Sequence, residues 1–150
     1  MKTVMQVLEA KGKDILSISP DQSVYDAVEK MAEAGVGALI VLEAGKVVGI
    51  VSERDYARKI ILKGLSSPNT PVREIMTSQV VYARPELTIE EGMALMTDKR
   101  CRHLPVMAND DLLGVLSIGD LVKAALAEKT YLVDQLANYI TGTFPESTSS

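Results

Sequence analysis

The sequence predicts a mixed α/β (α+β) fold: two pseudo-symmetric β-α-β-β-α units packed sheet to sheet, plus a C-terminal helix. Three observations carry this. The chain aligns with itself at an offset of 65 residues, without a gap, from Ile15 to Ile61. Within each copy a β-rich run, a stretch of helical apolar spacing, two short apolar runs around a polar turn, and a second helical stretch follow in the same order. One such unit has an apolar sheet face too large for its own two helices to seal, so pairing two units is the economical burial.

The elements follow in order. A leader, Val4 to Leu8, returns as Val72 to Met76. Each unit then opens on a short run of strand-forming residues, Ile15 to Ile18 and Val80 to Ala83, which stops at Pro20 or Pro85. Ser23 to Asp26 and Thr88 to Glu91 have the pattern of a capping box and start the first helices, which end near Gly35 and Arg100. The runs Ala38 to Leu42 and Val47 to Val51 bracket Glu43-Ala-Gly-Lys46, and Leu104 to Met107 and Leu112 to Leu116 bracket Ala108-Asn-Asp-Asp111. Both pairs read as hairpins, their turns carrying the Gly, Asn and Asp that tight turns favour. Second helices run from Glu53 to about Lys63 and from Ile118 to about Glu128.

The implied domains are unit 1 at 3–63, a connector at 64–70 rich in Gly, Ser, Pro and Asn, and unit 2 at 71–128. A separate C-terminal helix is expected at 129–142, with Leu132, Leu136 and Ile140 at helical spacing and Tyr139 nearby, and a flexible polar tail at 143–150.

Composition narrows the function classes. Hydrophobic residues make up 47% of the 150 and charged residues 24%, which excludes disordered and collagen-like chains. Sixteen Lys and Arg against twenty Asp and Glu leave a net charge of -4, a poor footprint for nucleic acid. A single cysteine, Cys101, excludes an intramolecular disulfide framework and a Cys-rich zinc site and fits a reducing compartment. With neither a signal-like amino terminus nor an apolar run near 18 residues, the expectation is a cytoplasmic protein off the membrane.

The strongest local signal is Gly49-Ile-Val-Ser-Glu-Arg-Asp55 and its copy Gly114-Val-Leu-Ser-Ile-Gly-Asp120, each a strand end set against a helix start. Ser followed three residues later by Asp resembles a capping box, and capping is the plain structural reading. The same geometry also presents free backbone N–H groups and a positive dipole end to a phosphate. Ser52 or Ser117 adds a hydroxyl there, and Asp55 or Asp120 can accept both hydroxyls of a ribose.

The duplicated unit, its Ile18-Ser-Pro-Asp21 and Ala83-Arg-Pro-Glu86 entries, its Gly37-to-Leu42 and Arg102-to-Met107 strands and its paired endings resemble a tandem pair of cystathionine β-synthase (CBS) domains over roughly residues 3–127. The resemblance is to a stand-alone, bacterial-like Bateman module. It implies two inter-domain clefts for adenosine ligands: AMP first, with ATP, ADP, NAD(H) or S-adenosylmethionine as alternatives. It also implies that Asp55 with Ser52, and Asp120 with Ser117, hold ribose and phosphate. By the same resemblance adenine lies near Ile18 and Val36-Gly37-Ala38 in one unit, and near Ala83 and Arg102-His103-Leu104-Pro105 in the other. Ser17 lines the first pocket and Tyr82 replaces it in the second, so the clefts should differ.

Arg102 and His103 close the helix-to-strand crossing beside Lys99 and Arg100, where a guanidinium could grip phosphate in a bidentate fork. Arg54 divides between surface and phosphate contact. His103, the only histidine, has no metal-ligating or nucleophilic neighbour in the sequence pattern, and no catalytic or metal site is expected. If it meets phosphate, binding should tighten as pH falls through the ordinary imidazole value of about 6.5. Two flanking arginines would lower the Cys101 thiol pKa if they lie near it, although packing at a helix end is the plainer role. The expected function is an adenine-nucleotide sensor, not an enzyme, that modulates an unidentified partner protein. A scaffolding module with vestigial clefts is the alternative. Helix faces with Met93, Met96 and Leu126, together with the C-terminal helix, should form a homodimer.

Overall fold

Five helices begin where a hydroxyl side chain accepts the backbone N–H three residues on. Thr3 opens α1 (Val4–Lys11), Ser23 opens α2 (Val24–Ala34), Ser52 opens α3 (Glu53–Tyr56) and Thr88 opens α4 (Ile89–Lys99). Ser117 does the same for α5 (Ile118–Thr141). Helices α2 and α4 end at the expected residues, Gly35 (φ 68°) and Arg100 (φ 54°), both left-handed. Glycine adopts that conformation without strain, whereas Arg100 does so at a cost. The coordinates are a computed structural model that describes residues 2–141.

The strands are β1 (Ser17–Ile18), β2 (Ala38–Glu43), β3 (Lys46–Ser52), β4 (His103–Ala108) and β5 (Asp111–Ser117). They form one sheet in the order β1-β2-β3 and a second from β4 and β5. Both hairpins carry a bulge at the same place in the repeat, between Val41 and Leu42 and between Val106 and Met107. Alternation buries both faces of the sheets. Leu39, Val41 and Val51 pack into the core of unit 1, while Ile40, pointing the other way, is buried as well.

Two elements depart from expectation. The run at 80–83 is not a ladder strand; Ala83 alone pairs, in a single parallel bridge with Val106. In unit 1 the Ile40 N–H donates to the Leu16 carbonyl at 3.2 Å, tying β2 to the first run. The repeat places Pro105 at the position of Ile40, and proline has no N–H to give Val81. The second helix of unit 2 does not stop at about Glu128 for a separate helix to begin. It runs unbroken through α5, because no Gly or Pro falls between Asp120 and Thr141 to interrupt a stretch rich in Ala and Leu. The side chains of Leu132, Tyr139 and Ile140 and the segment 142–150 lie outside the described residues. In unit 1 the matching helix is shorter, α3 passing at Ala57 into a π-helical turn that ends at Ile61.

Each core is sealed by the leader of the other unit. Val4, Val7 and Leu8 of α1 are buried with Ile89, Met96, Leu104, Leu116 and Leu121 of unit 2. Val72 and Ile75 of the second leader are buried with Val24, Met31, Leu39 and Val51 of unit 1. Backbone bonds fix the exchange: Val4 N–H donates to the Leu87 carbonyl at 2.7 Å, and Val72 N–H donates to the Gln22 carbonyl at 2.8 Å. The leaders come close because both strands carry a glycine there. A Cβ on Gly49 would lie 2.7 Å from Met76 Sδ and 2.9 Å from the Thr77 carbonyl, and one on Gly114 would lie 2.6 Å from Leu8 Cδ1.

Candidate functional site

The end of β3 turns directly into α3, and the turn is held by its own side chains. Asp55 Oδ2 accepts the Ser52 N–H at 2.9 Å and the Ser52 hydroxyl at 3.1 Å, while the Ser52 hydroxyl accepts the Asp55 N–H at 3.2 Å. The capping reading is therefore correct as local structure. It leaves the other carboxylate oxygen, Oδ1, facing Lys59 Nζ at 3.3 Å. The Glu53 N–H donates to the Gly37 carbonyl at 3.0 Å, which ties the helix-to-strand crossing of unit 1 to the same turn; Ile118 and Arg102 repeat that bond at 2.8 Å in unit 2.

A cavity of about 450 Å³ opens beside this turn, within the range of small-molecule sites. From unit 1 it takes Gly37, Ile50 and the whole Ser52-Glu53-Arg54-Asp55 turn. From the other side come Thr77, Gln79 and Val81, the crossing Lys99-Arg100-Cys101-Arg102-His103, and Pro105. Arg54 Nη1 reaches the Arg100 carbonyl across it at 3.4 Å. The two units also meet at Gly37, since a Cβ there would sit 3.4 Å from Cε1 and Nε2 of His103, and equally far from Glu53 Oε1 of its own unit.

Of the residues singled out from sequence, this cavity brings together Gly37, Ser52, Arg54, Asp55, Arg102, His103 and Pro105. The grouping differs from the expected one. Arg102, His103 and Pro105, expected in the pocket of the second unit, line the cavity of Ser52 and Asp55, because the unit 2 crossing faces the unit 1 ending. Ser17, Ile18, Val36 and Ala38 do not line it, and Ile18 belongs to the core of unit 1. Ala83 and Leu104 are buried in the core of unit 2, and Tyr82 is 47% exposed beside Arg84 and Glu86 at a separate surface depression. Sequence reasoning passed over Glu53, Gln79 and Val81. Lys99 and Arg100, which the sequence places beside Arg102, join the wall as well.

Around the cavity stand four cations, Arg54, Lys99, Arg100 and Arg102, against the carboxylates of Glu53 and Asp55. The repeat is not symmetric here. At the same offset Arg54, Lys99, Arg100 and Arg102 fall on Gly119, Ala34, Gly35 and Gly37, so none of the four recurs for the second ending. That ending is held differently too. Asp120 Oδ2 accepts the Ser117 N–H at 2.8 Å and a 2.7 Å hydrogen bond from Lys11 Nζ, at the C-terminal end of α1. Desolvation, the largest single influence on the Asp120 carboxyl, raises its pKa. The Lys11 and Ser117 hydrogen bonds and the Lys11 charge outweigh it and hold the group below the usual Asp value.

Burial pushes the His103 pKa below its ordinary value, helped by Lys11 and Arg102 and opposed by Asp120 and Glu53. The expected protonation through the ordinary imidazole range is thus displaced to lower pH. Burial also pushes the Cys101 thiol up, the reverse of activation by flanking arginines. Among the described residues no group of three His, Cys, Asp or Glu could hold a metal ion. No helix among them is long and apolar enough to cross a membrane.

Comparison with known proteins bears on this arrangement. The family model described as the CBS domain matches residues 8–62 and again 72–127. The chain is 41% identical over 149 residues to the mitochondrial CBS domain-containing protein CBSX3 of Arabidopsis thaliana, covering 93% of this chain and 72% of that one. Among solved structures, a protein with CBS domains from Burkholderia ambifaria MC40-6 is 49% identical, with a TM-score of 0.82 over 84% of this chain and 95% of its own. A hexameric CBS-CP12 protein from bloom-forming cyanobacteria is 29% identical, with a TM-score of 0.73 over 81% of this chain and 70% of its own.

Proposed function

Since the chain belongs to the CBS-domain family and carries two such domains, we propose that it is a regulatory module binding an adenosine 5′-phosphate in the Asp55 cavity. CBS pairs are as a class regulatory and bind adenosine-containing ligands. The observation that carries the finer reading is the meeting, in one cavity, of the Ser52-Asp55 turn with the cations Arg54, Lys99, Arg100 and Arg102. A diol fits the carboxylate, and a phosphate fits the cations: guanidinium groups grip phosphate in a fork. AMP is the first candidate, with ADP, ATP, NAD(H) and S-adenosylmethionine as the rest of the panel. His103, its pKa lowered by burial, is neutral near neutral pH and packs against Gly37.

The regulatory step is a population shift. A ligand touching both units favours one angle between them, and its effect on a partner protein is no larger than its differential affinity for the two arrangements. Catalysis has no part in this reading. The residues at the cavity include no nucleophile paired with a base.

Isothermal titration across that panel, with adenosine added, is the test. Saturable binding by wild type that falls roughly 10- to 150-fold in Asp55→Ala, the worth of a hydrogen bond to a charged group, is expected. The substitution should cost only about 1 kcal/mol of stability, as for a lost cap. Silence across the panel would favour the scaffolding alternative. A steep fall in melting temperature with unchanged affinity would reduce Asp55 to a cap.

A further inference from the structure

Lys11 of α1 belongs to unit 1 in sequence, yet its ammonium reaches two groups of unit 2: Asp120 Oδ2 at 2.7 Å and the Val115 carbonyl at 3.0 Å. Both contacts have counterparts in the repeat. Asp120 corresponds to Asp55, and Val115 corresponds to Ile50, which lines the Asp55 cavity and whose carbonyl accepts the Thr77 N–H at 2.9 Å. Lys11 Nζ therefore occupies, for the second ending, the place that the cavity-lining Thr77 backbone takes for the first. The lysine beside Asp55 is different in kind. Lys59 belongs to the same helical segment, stands 3.3 Å from Oδ1, donates to the Ile75 carbonyl at 2.8 Å and is not part of the cavity wall.

We propose that Lys11 is a built-in occupant of the second, repeat-related cleft. Its ammonium satisfies the Asp120 carboxylate and the Val115 carbonyl and so confines ligand binding to the Asp55 cavity. A ribose seated on Asp120 Oδ2 must displace a charge-assisted hydrogen bond, and the cations of the first cleft have no counterpart there to compensate, because glycine and alanine stand at their positions. The leader helix thereby sets the stoichiometry of the module as well as sealing its core. This rests on the nucleotide reading of the Asp55 cavity only for the identity of the ligand class.

The test is titration of ADP and adenosine into wild type, Lys11→Ala and Lys11→Met, each also with Asp120→Ala. Lys11 is exposed and both replacements are good helix formers, so α1 is retained. Wild type should bind one ADP, weakened roughly 10- to 150-fold in Asp55→Ala and untouched by Asp120→Ala. Both Lys11 variants should gain a second site, tighter than any residual wild-type binding there by at least about tenfold, equal for ADP and adenosine, and abolished by Asp120→Ala. A wild type whose Asp120→Ala form loses a site, or Lys11 variants that gain none, overturns the proposal. Silence in wild type with an Asp120-dependent site in Lys11→Ala would instead sink the Asp55 reading and leave this one standing.

Discussion

His103 lies against Gly37 of the other unit, and burial there sets the direction of its titration. Its folded pKa lies below the unfolded value of about 6.5, so as pH drops through that value the unfolded chain binds more protons than the native one and stability decreases. The melting temperature of wild type should drop more between about pH 7 and pH 5.5 than that of His103→Gln. Parallel curves would show that the ring does not titrate against folding. Phosphate beside the ring pulls the other way, so AMP affinity should stay flat above about pH 6.5 and rise only below it. At this scale the Ser52-Asp55 and Ser117-Asp120 pairs were legible in sequence, because spacing dictates a helix start. Their environments were not: Lys11 is more than a hundred residues from Asp120, and no local pattern joins them.

Among elements, the two leaders depend on glycines in the strands they cover. A methyl group on Gly114 would meet Leu8, a fully buried side chain, and one on Gly49 would meet a backbone carbonyl that cannot move aside without its segment. Overpacking of this kind costs about 1–3 kcal/mol. Urea unfolding should register that loss in Gly114→Ala and Gly49→Ala. Adding Leu8→Ala should cost less in the Gly114→Ala background than in wild type, since it relieves the clash, whereas it should not spare Gly49→Ala. Additive losses in both backgrounds would mean that the leader is not held at Gly114. The elements themselves were readable from periodicity, caps and turns. The missing strand at 80–83 was readable in principle too, from Pro105, once the repeat is used to ask which N–H would have paired it.

The whole molecule leaves a pair of repeat-related apolar residues in solvent. Ile61 and Leu126 occupy the same position in the two units and are each 58% exposed, with Leu62 at 78% beside the first. Met96, expected on this face, is instead buried in the core of unit 2, and Met93 packs against that core. We infer a homodimer that buries Ile61, Leu62 and Leu126. Sedimentation should give twice the 16.2 kDa chain mass for wild type and the single mass for Leu126→Glu with Ile61→Glu. A wild-type monomer at tens of micromolar, or an unchanged dimer in the double variant, would remove that surface from consideration.

The sequence by itself determined the repeat, the mixed α/β class, the hairpins and the hydroxyl-carboxylate turns, because these rest on local spacing, capping and turn chemistry that each segment carries within itself. Only the tertiary structure decided which crossing faces which turn, which leader seals which core, and that Lys11 reaches Asp120 while four cations gather at Asp55. Those outcomes depend on how two near-identical units are paired. A repeat read in one dimension assigns each unit its own cleft, whereas burial of both sheet faces and exchange of the leaders bring each turn against the opposite unit.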